Sequence, residues 1–375
     1  MNKTVIIATL GLFLTLWSCN NSSTSNELTI EVNSDTGKKV QLSTIAKDIK
    51  VVPLNIPRNV FFGEVQKIKS NGDYLFIHDP DQTTTVTCFN QKGSFIFQLN
   101  KRGQGPGEYN SIFDFTPDRE NKILYTYDRN KEVIMAYKIP ELTFIKEYAL
   151  DKYFMNFDWA GNKYLTISDT EVGDSYYGAE YFNIVKNQYQ SLNLPAQPNA
   201  MELTVPKAIS RNGNNLIYAA TGFISKLYQI TDQQTNVLAN IDFVSNKVPE
   251  SCWTAKDMQK FRNDFTSNAR AIMVQNVIAN KEQISFYYVF KQIENQQLAV
   301  YNKAKKECAV YSKIVLDKDE NMPIPAGVVN GYYVALIYGE MVNDLLPQAN
   351  YNTQWQQQLK QHNKEGDVSL LMYKL

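Results

Sequence analysis

A polar turn followed by a short run of aromatic and β-branched residues recurs six times, and this repeat restricts the possible folds more than any other feature. Each run has strand composition, and the Asn-Gly or similar pair before it favours a tight turn. The copies are NGDYLFIHD (71–79), ENKILYTYD (120–128), AGNKYLTISD (160–169), NGNNLIYAAT (212–221), NKEQISFYYV (280–289) and NGYYVALIYG (330–339). Regular internal repeats of this kind predict an array of equivalent units.

Each unit is predicted to contain four antiparallel strands. A short strand precedes the run, as in EVQKIKS (64–70), and a strand–turn–strand segment follows it, as in TVTCFNQKGSFIFQL (85–99). The sixth unit ends after its third strand, VSLLMYKL (368–375), and IKVVPLN (49–55) is the candidate for the missing strand. Because sharing this unit between the two ends leaves no open edge, we predict an all-β, six-bladed β-propeller closed by an N-terminal strand, with short helical insertions on one face.

The N-terminus has the features of a targeting segment. Lys3 precedes an apolar run, Val5 to Leu16, that is too short to span a bilayer. The polar stretch NNSSTSNE (20–27) follows and is typical of a tether. The predicted divisions are a signal peptide over 1–18, a tether over 19–36 and the propeller over 37–375.

Charge and composition exclude several classes of protein. The formal net charge is zero, so no nucleic-acid partner is expected. Only His78 and His362 are present, which argues against a site of several histidines. Beyond Cys19 in the N-terminal segment, the three cysteines Cys88, Cys252 and Cys308 are widely spaced and odd in number, so no disulfide framework is predicted.

The segment KRGQGPGEY (101–109) has the composition of a phosphate-binding loop but the wrong context. Such a loop leads into a helix N-terminus, whereas this one lies between two strand-like segments. Its glycines and proline suit a connector that crosses from blade one to blade two. The alternative is a ligand site, for which Arg102, Glu108 and the adjacent Tyr109 are the candidates.

Two motifs carry a resemblance to a known family. The segment LWSC (16–19) resembles a bacterial lipobox, which implies cleavage before Cys19 and lipid attachment to its thiol; an ordinary secretory signal or an uncleaved anchor is the alternative. With GQGPGEY (103–109) and the six repeats, the chain resembles the six-bladed β-propeller lipoproteins of Bacteroidetes, relatives of NHL-repeat propellers. The resemblance implies a fold and a cell-envelope location, but no reaction.

The residues after Cys19 bear on which side of the membrane the protein faces. They contain no acidic residue before Glu27, whereas an acidic stretch there would resemble a surface-export signal. We therefore expect a lipid anchor in the outer membrane facing the periplasm, and surface exposure stays open.

The long insertions are all predicted to lie on one face of the ring. Strand alternation places the loops between second and third strands, and those between blades, on the same side. That side receives the segments 170–180, 245–270 and 340–367 together with the GQGPGEY loop. Because long loops on a rigid scaffold often carry binding residues, this is the expected ligand face.

The insertions contain aromatic residues at helical spacing. Two stripes are predicted to form helices that either pack on the propeller or act as a ligand-facing lid. They consist of Met258, Phe261 and Phe265, and of Tyr351, Trp355 and Leu359. The candidate stacking residues for a sugar or an apolar group are Tyr176, Tyr177, Trp253 and Trp355.

Three aspartates end the second strands of the first three blades. Asp79, Asp128 and Asp169 would converge near the central channel and could bind a metal such as Ca²⁺. Alternatively, each carboxylate caps its own turn by accepting backbone N–H groups, which repetition in three blades favours. No cofactor is predicted.

These features favour a lipid-anchored binding or scaffold protein of the cell envelope. Its ligand, a glycan or an envelope protein, would bind on the loop-rich face around the central channel. A metal-dependent hydrolase, lactonase or lyase with a site in that channel is the alternative. No Ser–His–acid or Cys–His arrangement is evident, so an enzyme is the less favoured reading.

Overall fold

The computed structural model describes residues 27–171, 176–194, 197–198, 207–220, 225–231, 234–249, 258–317, 319–348 and 350–375. The chain begins with β1 (Thr29–Glu31), a 3-10 turn (Ser34–Thr36), β2 (Lys38–Gln41), α1 (Leu42–Ile45) and β3 (Asp48–Pro53). The predicted signal peptide and Cys19 lie outside the described residues.

Six antiparallel sheets follow in order around a ring, one for each predicted repeat. Blade one is β4 (Lys67–Ser70), β5 (Tyr74–Asp79), β6 (Thr85–Asn90) and β7 (Phe95–Leu99). Blade two is β8 (Asp114–Asp118), β9 (Ile123–Asp128), β10 (Val133–Lys138) and β11 (Thr143–Ala149). Blade three is β12 (Asn156–Gly161), β13 (Tyr164–Glu171), β14 (Tyr176–Asn183) and β15 (Gln188–Ser191), with β16 (Gln197–Pro198) paired to β14.

The second half of the ring repeats this order. Blade four is β17 (Ile209–Asn212), β18 (Asn215–Ala219), β19 (Lys226–Ile230) and β20 (Thr235–Asp242). Blade five is β21 (Ala271–Ala279), β22 (Gln283–Phe290), β23 (Gln292–Asn302) and β24 (Glu307–Val315). Blade six is β25 (Gly327–Val329), β26 (Tyr332–Tyr338) and β27 (Val368–Lys374), completed by β3. The predicted six-bladed β-propeller is therefore confirmed.

The ring closes through the N-terminal strand, as the incomplete sixth repeat indicated. Strand β3 runs antiparallel to β27, with Val51 opposite Leu371 and Asp48 opposite Lys374. Val51 is buried in a core that also contains Leu371 and Tyr333. Strands β3 and β27 thus contribute to one hydrophobic core.

Before it reaches blade six, the N-terminal segment also covers two outer blade edges. Strand β1 pairs in parallel with β20 of blade four, and β2 pairs in parallel with β24 of blade five. Ile30 and Val32 are completely buried there. The segment predicted as a tether over 19–36 therefore contains a strand and a buried hydrophobic contact from residue 29 onward.

Hydrophobic cores lie between neighbouring blades, because strand residues alternate between the two sheet faces. On β5, Leu75 and Ile77 pack against blade six, whereas Phe76 packs against blade two. The same arrangement occurs at all six blade interfaces. Each blade is held by two neighbours, so the ring forms one continuous packed structure.

The insertions differ in structure. Segment 245–270 contains α2 (Met258–Ser267), and segment 340–367 contains α3 (Val342–Leu345) and α4 (Gln354–Gln361). The described residues of segment 170–180 form strand rather than the predicted loop, because β13 and β14 continue pairing through Thr170 and Glu171 after a register shift between Ser168 and Thr170. Its Thr and Tyr residues favour strand, so most of this insertion extends the sheet.

The helical stripes pack on the propeller. Phe261 and Phe265 are buried against Ile272 and Val289 of blade five. Leu359 is completely buried and Trp355 is 8% exposed, both in the core between blades five and six. Among the described residues, no helix is long and apolar enough to cross a membrane.

Candidate functional site

The GQGPGEY loop folds back on itself as a connector. The Glu108 carboxylate accepts the Gly105 N–H (2.9 Å), and a Cβ at position 103 would collide with this carboxylate. The Tyr109 hydroxyl donates to the Leu99 carbonyl (3.1 Å) and accepts the Lys101 N–H (3.2 Å). Glu108 and Tyr109 thus serve the loop's own structure, and burial raises the pKa of Tyr109 to about 12.

The same loop also packs against blade two and accepts hydrogen bonds from it. Gly107 has φ +75°, a backbone conformation that favours glycine. It also lies against the Phe144 ring, so an added Cβ would be 2.7 Å from a ring carbon. The Tyr137 hydroxyl donates to the Gly107 carbonyl (3.1 Å), and Lys131 Nζ donates to the Glu108 carbonyl (2.6 Å). Arg102 is exposed on this loop and remains a candidate ligand contact.

The strand-ending aspartates cap turns. Asp79 accepts the N–H groups of Gly63 (2.6 Å) and Gln82 (3.0 Å), and Asp128 accepts that of Asn110 (2.6 Å) and two others. The side chain of Asp169 lies outside the described residues. In the part of the chain that the structure describes, no three His, Cys, Asp or Glu side chains form a group that could hold a metal.

The predicted stacking residues are not brought together by what the structure describes. Trp355 is buried beside Leu359 in a core, where it offers little surface to a ligand. Tyr176 and Tyr177 lie in β14, but their side chains are outside the described residues, as is all of Trp253.

The most distinctive polar site is a cavity in the central channel. It is bounded by the innermost strands β4, β8, β12, β17, β21 and β25 or the residues beside them. Five cationic side chains line it: Lys67, Lys69, Arg119, Lys207 and Arg211. Its volume open to the centre of a water molecule is about 40 Å³, and since about 10–15 Å³ holds one water, a small molecule fits.

Two carboxylates neutralise part of this charge. Asp114 lies 2.9 Å from Lys67 Nζ and accepts the Phe157 N–H (3.0 Å) of the next blade. Asp158 lies 2.6 Å from an Arg211 nitrogen and accepts the Thr116 hydroxyl (2.9 Å). Burial raises the pKa of Asp158, but the charges of Arg211 and Lys69 outweigh it and hold that pKa below its usual value.

Lys69 sits between the two carboxylates. Its Nζ lies 3.6 Å from Asp114 and 3.6 Å from Asp158, and it donates to the Phe115 and Phe157 carbonyls at 2.7 and 2.8 Å. One amine therefore joins blades one, two and three, and both acids are already engaged by cations. The cavity retains an excess of positive charge.

That excess is greatest at Lys207 and Arg119. Lys207 Nζ donates to the Pro325 carbonyl (3.1 Å), and no described carboxylate lies within ion-pair distance of it. Burial, together with the charge of Lys67, lowers the pKa of Lys207 to about 8. Arg119 donates to the Gly213 carbonyl (3.3 Å) across the channel, and its buried Nε has no hydrogen-bond partner among the described residues.

The channel cations were not among the sequence-predicted site residues, although their strands were located. Lys67 and Lys69 alternate in EVQKIKS, and in VPKAISR Lys207 precedes β17 whereas Arg211 lies within it. Charged residues on a strand predicted to be innermost, and therefore enclosed, were the available signal. The four side chains meet in the central channel only because the blades are arranged in a ring.

His78 belongs to the wall behind this cavity. It is completely buried, pairs across strands with Lys67, and its Nε2 lies 3.0 Å from the Ile112 carbonyl, to which it donates in the neutral form. Burial, and then the Lys67 charge, lower the pKa of His78 to about 4. The ring is a neutral structural group, not part of a metal cluster.

Comparison with known proteins identifies relatives but no reaction. A family model described as a domain of unknown function, DUF4934, matches residues 26–373. A Bacteroides fragilis structure named "putative exported protein" is similar at 16% identity and TM-score 0.69, covering 92% of this chain and 98% of that one.

A second structure extends this likeness. It is a member of the DUF4221 family from Bacteroides vulgatus, similar at 10% identity and TM-score 0.53, with 88% of this chain and 97% of that one covered. At these identities both likenesses show the fold. No protein of curated function matches the sequence significantly.

Proposed function

This chain belongs to the DUF4934 family, a domain of unknown function, and we propose that it is a cell-envelope binding protein whose central channel takes a small anion or the anionic end of a ligand. The observation that carries the proposal is the excess of positive charge in the channel cavity. Five cationic side chains line it, but Asp158 is the one carboxylate among the described lining residues; Asp114 pairs with Lys67 without lining the cavity itself. Because these side chains are largely shielded from bulk solvent, their attraction for an anion is stronger than at the surface, and a carboxylate or phosphate gains most there.

The location rests on separate observations. The LWSC motif supports lipid attachment at Cys19, and residues 20–27 supply a polar tether to the first described strand. The Bacteroides fragilis neighbour is itself named as exported, which agrees with an envelope location. We propose the outer membrane, with the propeller facing the periplasm.

The loop-rich face is a separate candidate contact surface, because none of the described residues that line the cavity belongs to its long insertions or to the GQGPGEY loop. Arg102 is exposed there, and Tyr176, Tyr177 and Trp253 remain candidate contacts. A glycan carrying a carboxylate, or an envelope protein with an acidic segment, is the proposed ligand. The alternative of a metal-dependent hydrolase receives no support from a ligand cluster among the described residues.

Anion binding is tested by calorimetry with phosphate and pyruvate, in buffers whose ionic strength is matched with chloride. We expect both to bind the wild-type soluble chain, and Lys207→Met to weaken binding at least tenfold. Lys207 is the chosen position because it has no described carboxylate partner that its loss would leave unpaired.

Lys305→Met is the matched control, because Lys305 is an exposed residue in a turn. It should bind like the wild type. Equal binding by wild type and Lys207→Met, or none by the wild type beyond the chloride control, would refute an anion site in the channel.

Lipid anchoring is tested independently. Cys19→Ser should abolish incorporation of labelled palmitate and release the protein from the membrane fraction. Retention of the label in this variant would exclude Cys19 as the attachment point.

A further inference from the structure

Lys207 differs from the other channel cations in how its charge is compensated. Lys67 lies 2.9 Å from Asp114, and Arg211 lies 2.6 Å from Asp158. Lys207 has only the Pro325 carbonyl, which also accepts the Asn276 amide (2.8 Å). An amine without a counter-ion gains little from staying protonated in an enclosed cavity.

The Lys67 amine adds further positive charge near Lys207. Lys67 faces the same cavity, and its charge acts on Lys207 together with burial to bring the pKa of Lys207 to about 8. With this pKa, roughly a tenth of Lys207 is a neutral amine at pH 7, far more than for an ordinary exposed lysine. Desolvation and a neighbouring cation are the two conditions that make a lysine a nucleophile toward carbonyl compounds.

The same cavity offers a place for the charge of such a compound. Arg119, Lys69 and Arg211 line it alongside Lys207, and Arg119 keeps a buried N–H without a described partner. A carboxylate held by these groups would lie in the same cavity as the Lys207 amine. The volume suits a molecule of a few heavy atoms.

From this juxtaposition we infer that Lys207 forms an imine with a small 2-oxo acid or aldehyde acid bound in the channel. The inference rests on the proposed anion site and names the class of ligand for it. Its geometry consists of an amine without a counter-ion, a second amine and a set of anion-binding groups, all lining one cavity.

The step balances without an oxidant or a cofactor. The nitrogen lone pair of the neutral amine attacks the carbonyl carbon, and a proton leaves the nitrogen for the carbonyl oxygen as the C=O π bond breaks. The carbinolamine hydroxyl then takes a proton from solvent and leaves as water while the nitrogen lone pair forms the second C–N bond, which gives the protonated imine. The Lys67 charge near the site favours the neutral amine before attack, and the ligand carboxylate balances the iminium charge afterwards.

Reductive trapping tests the inference on the full soluble chain. Glyoxylate or pyruvate is added with cyanoborohydride near neutral pH, and the modified lysines are mapped by mass spectrometry of proteolytic peptides. We expect the carboxymethyl or carboxyethyl adduct on Lys207 at least tenfold above that on exposed Lys305. Phosphate should compete with this labelling.

Lys207→Arg retains the positive charge but cannot form the imine, so it should lose the adduct while still binding phosphate by calorimetry. Circular dichroism establishes that the variant is folded. Propionaldehyde has no carboxylate, so its labelling of Lys207 measures the reactivity of the amine independently of anion binding.

The outcomes separate the two proposals. Phosphate binding without preferred labelling of Lys207 would overturn the imine and leave the anion site standing. Preferred labelling by propionaldehyde, but not by glyoxylate, would leave a reactive amine and overturn both the anion site and the ligand class. Adducts distributed according to lysine exposure, unaffected by phosphate, would overturn the imine outright.

Discussion

Among single residues, His78 shows how the channel wall constrains protonation. Its folded pKa of about 4 lies below the ordinary value of 6.5, because the ring is buried and faces the Lys67 charge. The unfolded chain therefore binds more protons between these pH values, and stability is lost as the pH falls through them.

His78→Gln removes this titration while keeping an amide donor for the Ile112 carbonyl. From pH 7 to pH 4, the wild type should lose about 3 kcal/mol more of its unfolding free energy than the variant. Urea unfolding at several pH values measures the difference. Parallel stability curves for the two proteins would show that His78 is not buried as a neutral ring.

Lys207 makes stability depend on pH in the alkaline range. Its folded pKa of about 8 lies below the ordinary 10.5, so stability should rise as the pH increases between these values. Lys207→Met lacks this dependence and should be more stable than the wild type at pH 7 by up to about 3 kcal/mol. The advantage should shrink toward pH 10; a constant difference would contradict the shift.

Two glycines, Gly107 of the GQGPGEY loop and Gly72 of the turn between β4 and β5, differ in their surroundings. Gly107 and Gly72 both have positive φ, but only Gly107 faces a neighbour, the Phe144 ring. Gly72→Ala should cost about 1 kcal/mol, and Gly107→Ala about 2 to 4 kcal/mol, because the added methyl also displaces the ring. Thermal and urea unfolding test this; equal costs would mean that the ring moves aside freely.

The residue-level predictions that the structure supports are local in character. Asp79 and Asp128 each accept an N–H from the turn that directly follows their strand, so the repeat pattern could indicate this part of their role. Lys69, Asp114 and Asp158 come from three different blades, and their contacts depend on the ring geometry. Sequence spacing alone carries no information on such contacts.

At the scale of elements, the alternating hydrophobic pattern predicted the strands and the shared sixth blade. It did not predict β1 and β2, since three- and four-residue strands at an outer edge have too few residues to show a period. It also placed a loop at 170–180, where a register shift lets β13 and β14 continue. Short edge strands and bulges are decided by tertiary pairing.

The contribution of β1 can be measured at two adjacent residues. Ile30 is completely buried in the core between blades four and five, whereas Thr29 is exposed. Ile30→Ala should lower the unfolding free energy by about 2 to 4 kcal/mol, and Thr29→Ala by less than about 0.5 kcal/mol. Similar small effects of both would indicate that β1 is not docked in solution.

For the whole molecule, the six inter-blade cores predict cooperative unfolding. Phe76 lies in the core between blades one and two, and Leu216 in the one between blades three and four. Although they lie in separate interfaces, Phe76→Ala and Leu216→Ala should each shift one common transition, because loss of any interface opens the ring. Circular dichroism and tryptophan fluorescence should give coincident curves; separate transitions for the two variants would contradict this.

Ring closure by β3 and β27 also determines when blade six can fold during synthesis of the polypeptide. During synthesis β3 is among the first described strands made, yet its partner β27 follows every other described strand, so β3 has no partner until residues 368–374 have emerged. Blade six can therefore form only after β27 has been made, and until then β3 and β26 present unpaired edges to the surrounding medium. A nascent chain that meets chaperones, or a translocation channel, meets them while its ends are still apart.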